Sequence, residues 1–296
     1  SPKIPAKQIA VIRTWIEQGL RETVDGKTRG PKRAPVEFHP SAGNRPVGPP
    51  PMPKDLPPVK LPDTHRPLPV LAMAASPWAP LLAAAGSECV LLFGADMKPL
   101  GVLPFPEGLP NVLRFSRDGA ILMAAGGRPV ESGKVVLFDV RSGQRITEVG
   151  DELDAILAAD LSPDQSLVAI GGTSRVVKVF RTRDGEQVYK LTKHTDWVTS
   201  LQFSPDGKRF ATADRAGAVH LWEAPTGGIS LSLAEHKAAV TSLDWRSDGS
   251  MLATGGEDGR LIWWDTTDGW PAVSHSNPHS PQRKPGVYGK LANGIL

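Results

Sequence analysis

"EHKAAVTSLDWRSDGSMLATGGEDGRLIWWDTTDG", residues 235–269, consists of short apolar runs separated by turns. Its turn, "WRSDG" (245–249), is the last of four: "FSRDG" (115–119), "LSPDQ" (161–165) and "FSPDG" (203–207) precede it. Their aspartates are Asp118, Asp164, Asp206 and Asp248, at spacings of 46, 42 and 42. An aromatic follows each turn, and Phe138, Phe180, Trp222 and Trp264 stand 42 residues apart throughout. A more worn copy, "LAMAASPWAPLLAAAGSECVLLFG" (71–94), has Ser76-Pro77 at the turn and Phe93 at the aromatic position. Five copies are therefore visible.

In the copy before the quoted one, "VTSLQF", "KRFATA" and "AVHLWE" each fit a strand of about six residues. The Ser-Pro-Asp-Gly gaps between runs put proline and glycine where turn geometry favours them. A period of about 42 residues with four short strands reads as one blade of a β-propeller. One blade cannot bury both of its faces alone, whereas blades arranged in a ring can. The fold expected for 67–275 is all-β.

These residues resemble the WD-repeat family, over about two-thirds of the chain. The 235–269 copy is similar to that family's consensus nearly end to end, with Trp264-Asp265 as its name-giving dipeptide. The resemblance implies that His236, Thr254, Asp258 and Trp264 form the family's structural tetrad, hydrogen-bonded in series inside one blade. Such a buried polar chain is stable only when every member is satisfied. The 193–227 copy keeps His194, Thr212 and Trp222 as a partial tetrad, but Ala216 stands where the Asp is expected. The 152–185 copy has Ile170, Ser174 and Phe180 at the hydroxyl, Asp and Trp positions. The 111–143 copy carries an insertion, "GGRPVESGK", before its third strand. At most one blade is thus expected to hold a complete network. His194 and His236 could be proposed as metal ligands or bases, but their spacing of 42 places them in adjacent blades rather than in one site. No catalytic, cofactor-binding or metal-binding residue is assigned in this chain. His275 and His279 fall in a polar loop.

Working outward, residues 23–66 read as a basic, proline-rich linker. Eleven prolines from Pro31 to Pro62 preclude regular helix or central strand, and the segment is expected to be extended and poorly able to bury itself. Its charges are read as solvated, with a polyanion contact as the sharper alternative. Ahead of it, "KIPAKQIAVIRTWIEQGL" (3–20) places Ile9, Val11, Ile12, Trp15, Ile16 and Leu20 on one side of an α-helix. That wide apolar stripe calls for a partner. The stretch resembles the final helix of the planctomycete-type cytochrome c domain, through Gln8-Ile9, Ile12, Trp15-Ile16 and Gly19. In that family a proline-rich linker joins such a domain to WD repeats. The resemblance implies that residues 1–22 close a domain lying upstream of Ser1, which would carry haem c. Covalent haem needs Cys-x-x-Cys-His, and Cys89 is the one cysteine here, so the chain itself holds no cofactor. Cys89 lies in a strand pattern and reads as a small core residue. Met52 follows the helix and is not taken as a haem ligand.

The net charge of +3 makes no general case for nucleic acid, and no run of 18 apolar residues spans a membrane. Residues 276–296 read as a loop and the start of a further repeat. The ring is expected to be truncated from seven blades, with a true five-bladed ring as the alternative. Functionally the chain reads as a protein-interaction scaffold with unidentified protein partners, the propeller part of a larger electron-transfer protein. The alternatives are a propeller enzyme (hydrolase or oxidoreductase) acting at the central channel, and nucleic-acid binding by the linker. Localisation is not readable, but is exported or periplasmic if the cytochrome resemblance holds.

Overall fold

The computed structural model describes residues 48–54, 56–58 and 69–276. The amphipathic stretch 3–20, most of the linker and the region 277–296 lie outside the described residues. All regular structure among those described is β, in five four-stranded antiparallel sheets. Sheet 1 holds β1 (Met73–Ala75), β2 (Leu81–Gly86), β3 (Cys89–Gly94) and β4 (Pro99–Pro104). Sheet 2 holds β5 (Leu109–Phe115), β6 (Ile121–Arg128), β7 (Ser132–Asp139) and β8 (Arg145–Glu152). Sheet 3 holds β9 (Ile156–Leu161), β10 (Leu167–Gly172), β11 (Val177–Arg181) and β12 (Gln187–Leu191). Sheet 4 holds β13 (Val198–Phe203), β14 (Arg209–Asp214), β15 (Val219–Glu223) and β16 (Ile229–Leu233). Sheet 5 holds β17 (Val240–Trp245), β18 (Met251–Gly256), β19 (Arg260–Asp265) and β20 (Pro271–Ser276). Each sheet is a meander in chain order, and the first strands of successive sheets lie side by side.

The first turn of each repeat is closed by its own side chains. Ser116 Oγ donates to Asp118 at 2.6 Å, and the same Ser–Asp bond recurs at Ser162–Asp164 and Ser204–Asp206. The residue after each Asp is left-handed: Gly119, Gly207 and Gly249 adopt φ of 72–73°. Gln165 takes the same conformation, with φ 63°, without the freedom glycine has there.

Four apolar cores hold the array, one between each pair of sequential sheets. Each has the same construction. Small or branched residues of one sheet form a ledge, such as Ala211, Ala213, Val219 and Leu221 of sheet 4. The next sheet sets large residues against that ledge, here Trp245, Leu252 and Trp264. Phe138, Phe180, Trp222 and Trp264, the repeated aromatics, are all buried at these junctions.

Two sequence expectations are adjusted. The "GGRPVESGK" insertion, read as lying before the third strand, is instead built into the second and third strands. It lengthens β6 and β7 into eight-residue strands paired from Ile121↔Asp139 to Arg128↔Ser132. Glycine permits this, because a Cβ on Gly127 would come within 2.0 Å of the Ser132 carbonyl oxygen. The linker's end also buries itself more than its composition suggests. Pro51 is buried, and Met52 and Leu56 pack on the core shared by sheets 1 and 2. Backbone bonds from Lys54 to Arg141 and from Val102 to Pro57 fix the segment there. Leu56 occupies a notch that exists because Gly101 and Gly143 lack side chains: a Cβ on either would lie 2.3–2.4 Å from Leu56 atoms.

Candidate interaction surface

Sheets 4 and 5 each contain a buried polar chain. In sheet 5, Trp264 Nε1 donates to Thr254 Oγ1 at 2.8 Å, Thr254 bonds His236 Nε2 at 2.8 Å, and His236 Nδ1 bonds Asp258 at 3.1 Å. The Asp258 carboxylate can only accept, so in the neutral ring the His236 Nε2 accepts from the Thr254 hydroxyl, whose oxygen accepts from the indole. The histidine proton then sits on Nδ1, facing the carboxylate. In sheet 4 the order is Trp222, Thr212, His194 and Asp214, with successive distances of 2.7, 2.7 and 2.8 Å. This corrects the expectation of at most one complete network. The missing Asp at Ala216 is replaced by Asp214, two residues earlier. Asp214 aligns with Gly256, where an added Cβ would lie 2.8 Å from His236 Nδ1 and 2.9 Å from the Asp258 carboxylate. The two routes bring a carboxylate to the same ring nitrogen. The signal in the sequence is the one Asp of that hairpin, Asp214 in "ADRAGA", two residues before the expected position.

Both histidines have both ring nitrogens occupied and their side chains fully buried, so neither can act as a base on a bound molecule. Asp214 and Asp258 are held below the ordinary carboxylate range by hydrogen bonds, overcoming the desolvation that raises them most. A third histidine, His220, lies 4.8 Å from the His194 ring, and burial drives its pKa down to about 4. Cys89 is buried, and desolvation raises its thiol pKa. Among the described residues no group of three or more His, Cys, Asp or Glu could hold a metal ion.

The first strands of sheets 1–4 surround a cleft of about 330 Å³ lined by residues such as Met73, Asn111, Ala158 and Ser200. Side chains tie these strands together. Asn111 donates to the Ile156 carbonyl at 2.9 Å, Gln202 to Asp244 at 2.9 Å, and the Phe203 amide to Asp160 at 2.7 Å. Arg114, Asp160, Gln202 and Asp244 occupy equivalent repeat positions. Burial raises the Asp160 pKa to about 6, against the opposing pull of Arg114, 4.0 Å away. With one oxygen accepting from the Phe203 amide of sheet 4 and the other facing Arg114 of sheet 2, Asp160 is a clasp between sheets.

The two most exposed large apolar groups, with Trp197, lie at one end of the array, where second-to-third-strand hairpins meet the sheet-to-sheet connections, while Trp270 (72 %) and Met97 (64 %) are exposed on third-to-fourth-strand loops at the opposite end. Val130 (87 % exposed) caps the β6–β7 hairpin, Leu153 (85 %) the β8–β9 connection, and Trp197 (42 %) the β12–β13 connection. Asp154 fixes the first two by accepting from the Val130 and Ala155 amides and from Thr173 Oγ1 at 2.7 Å. Arg215 lies 5.0 Å over the Trp197 ring and donates its amide to the Trp197 carbonyl. A cavity of about 480 Å³ opens beside Leu153, between Asp151, Thr173 and the Lys178–Glu152 ion pair.

Two family models match the chain: the anaphase-promoting complex subunit 4 WD40 domain over residues 159–238, and the WD domain, G-beta repeat, over residues 227–265. They support a WD-repeat family and agree with the five propeller-type sheets. No curated protein matches the chain.

Proposed function

We propose that the chain is a rigid protein-interaction scaffold that binds its partner at the end carrying Val130, Leu153 and Trp197. The carrying observation is that these apolar side chains are exposed on loops whose backbones are pinned by buried or multiply bonded groups. Exposed apolar surface on a preorganised loop lowers the entropic cost of binding. The test places a photocrosslinking amino acid at Leu153, at Trp197, and at Met97 on the opposite end. Adducts with the partner are expected from the first two sites only. Labelling concentrated at Met97 would overturn the assignment.

The resemblance of residues 3–20 supports a separate proposal, that the parent polypeptide carries haem c upstream. The chain described here does not fit a covalently attached haem, since its single thiol is buried in β3 and has no second cysteine beside it. Haem staining of the parent polypeptide tests this, and a parent lacking Cys-x-x-Cys-His would end it.

A further inference from the structure

The cavity of about 480 Å³ beside Leu153 stands where sheets 4 and 5 keep their buried polar chains. One repeat of 42 residues carries Glu152 onto His194 and Ile170 onto Thr212. The same step carries Gly172 onto Asp214 and Ser174 onto Ala216. Glu152, Ile170, Gly172 and Ser174 all line the cavity. Sheet 3 therefore lacks the imidazole, the hydroxyl and the carboxylate that bond one another at this place in sheet 4. Glu152 turns instead to Lys178, 2.6 Å away, and a cavity remains. Its lining comes from the end of β8, the β8–β9 connection, the start of β9 and the β10–β11 hairpin with its flanking strands, inside the series of sheets rather than at either end of it.

The cavity offers acid beside apolar surface. Asp151, Glu152 and Asp154 line it, and Lys178 is the one cation of the lining, so negative charge is in excess. Asp154 is already engaged by the Val130 and Ala155 amides and by Thr173 Oγ1. Lys178 takes one Glu152 oxygen. The second Glu152 oxygen and the exposed Asp151 carboxylate are left to accept from a ligand. Leu153, Ile170 and Val176 supply the apolar wall. We infer that this cavity receives an arginine side chain of the protein partner, its guanidinium on Glu152 and Asp151 and its stem along Leu153 and Val176. The volume is that of formed ligand sites, which combine apolar lining with a few placed polar groups. Arginine suits the site better than lysine. Its guanidinium is flat, like the imidazole that fills this place in sheet 4, pairs a carboxylate through two parallel bonds, and gives up water more readily than an ammonium. Its stem covers apolar surface while the head stays with the acids. The inference rests on the reading of this end as the partner-facing one, and it names the chemistry the partner brings there.

The test is a titration of the isotope-labelled full chain with Nα-acetyl-arginine methylamide, read by amide chemical shifts. Concentrations up to about 10 mM are needed, because a single anchoring side chain binds in about the millimolar range. Saturating shifts are expected at Leu153, Thr173 and Val176, weaker binding of the lysine amide, and none of the citrulline amide, which has the shape of arginine without its charge. Glu152→Gln should weaken arginine binding about tenfold, through loss of a charged hydrogen-bonded pair. Asp151→Asn, at an exposed site, should weaken it too and serves if Glu152→Gln disturbs the fold, which shifts far from the cavity would reveal. The inference is overturned if the arginine amide leaves these amides unmoved, if citrulline or lysine binds as well, or if both folded variants bind as the wild type does. Adducts at Leu153 with a partner that still binds when all its arginines are replaced by glutamine would overturn the cavity alone. Arginine binding without adducts at Leu153 would instead overturn the placing of the partner at this end.

Discussion

Thr212 and Thr254 each satisfy two buried partners, an indole N–H and a histidine Nε2. Replacing either by valine keeps the shape and strands both partners. Thr212→Val is expected to cost about 2–4 kcal/mol in urea unfolding, since each unpaired buried group costs about 1–3 kcal/mol. Asp214→Ala should be comparably damaging. Ala216→Asp should have little effect, because Asp214 already fills the site. Gln165 offers the opposite case. It holds φ 63° with a buried side-chain nitrogen that lacks a partner. Gln165→Gly should raise stability by about 1 kcal/mol, from relief of left-handed strain and removal of an unsatisfied donor. Two buried groups set the pH response. His220, at about 4 against an ordinary 6.5, stays neutral when folded but gains a proton when unfolded, so stability is lost as pH falls below 6.5. Asp160, at about 6 against an ordinary 3.8, takes up its proton first in the folded state, so stability rises as pH falls from about 6 to 4. The two oppose each other over that window. Stability measured from pH 7 to 4 should therefore rise on acidification in His220→Gln and fall more steeply in Asp160→Asn than in the wild type.

At the level of elements, the repeating turn and the aromatic were legible because each has a local cause, a Ser–Asp bond in the turn and a ring buried at a constant register. The blade boundaries followed from them. What stayed hidden had causes spread along the chain. The extension of β6 and β7 depends on glycines meeting across a hairpin, which reads in sequence as an insertion. The second network depends on Asp214 and Gly256 sharing a place, visible only once two hairpins are superposed. The anchoring of Leu56 depends on glycines about 45 and 87 residues away, beyond any local pattern (Gly101 and Gly143). Leu56→Ala should therefore lower stability by about 2 kcal/mol, read by thermal unfolding. A proline-rich stretch acting only as a spacer would show no such change.

Taken whole, the molecule is a series of like junctions, and its functional reading follows from what those junctions leave open. The residues that look most like chemistry, His194 and His236 with their carboxylates, are spent inside blades. What faces outward among the described residues includes a set of pinned loops at one end, and sheets 1 and 5 each share an apolar core with one neighbouring sheet rather than two. Stability in such an array is expected to be graded, with terminal units opening more readily than those flanked on both sides. Hydrogen exchange of the full chain tests this most directly. Amides in β10, β11, β14 and β15 should be the slowest, and those in β3 and β19 measurably faster, although every one of these strands is paired on both edges. Equal protection of all five sheets would contradict a graded series of junctions.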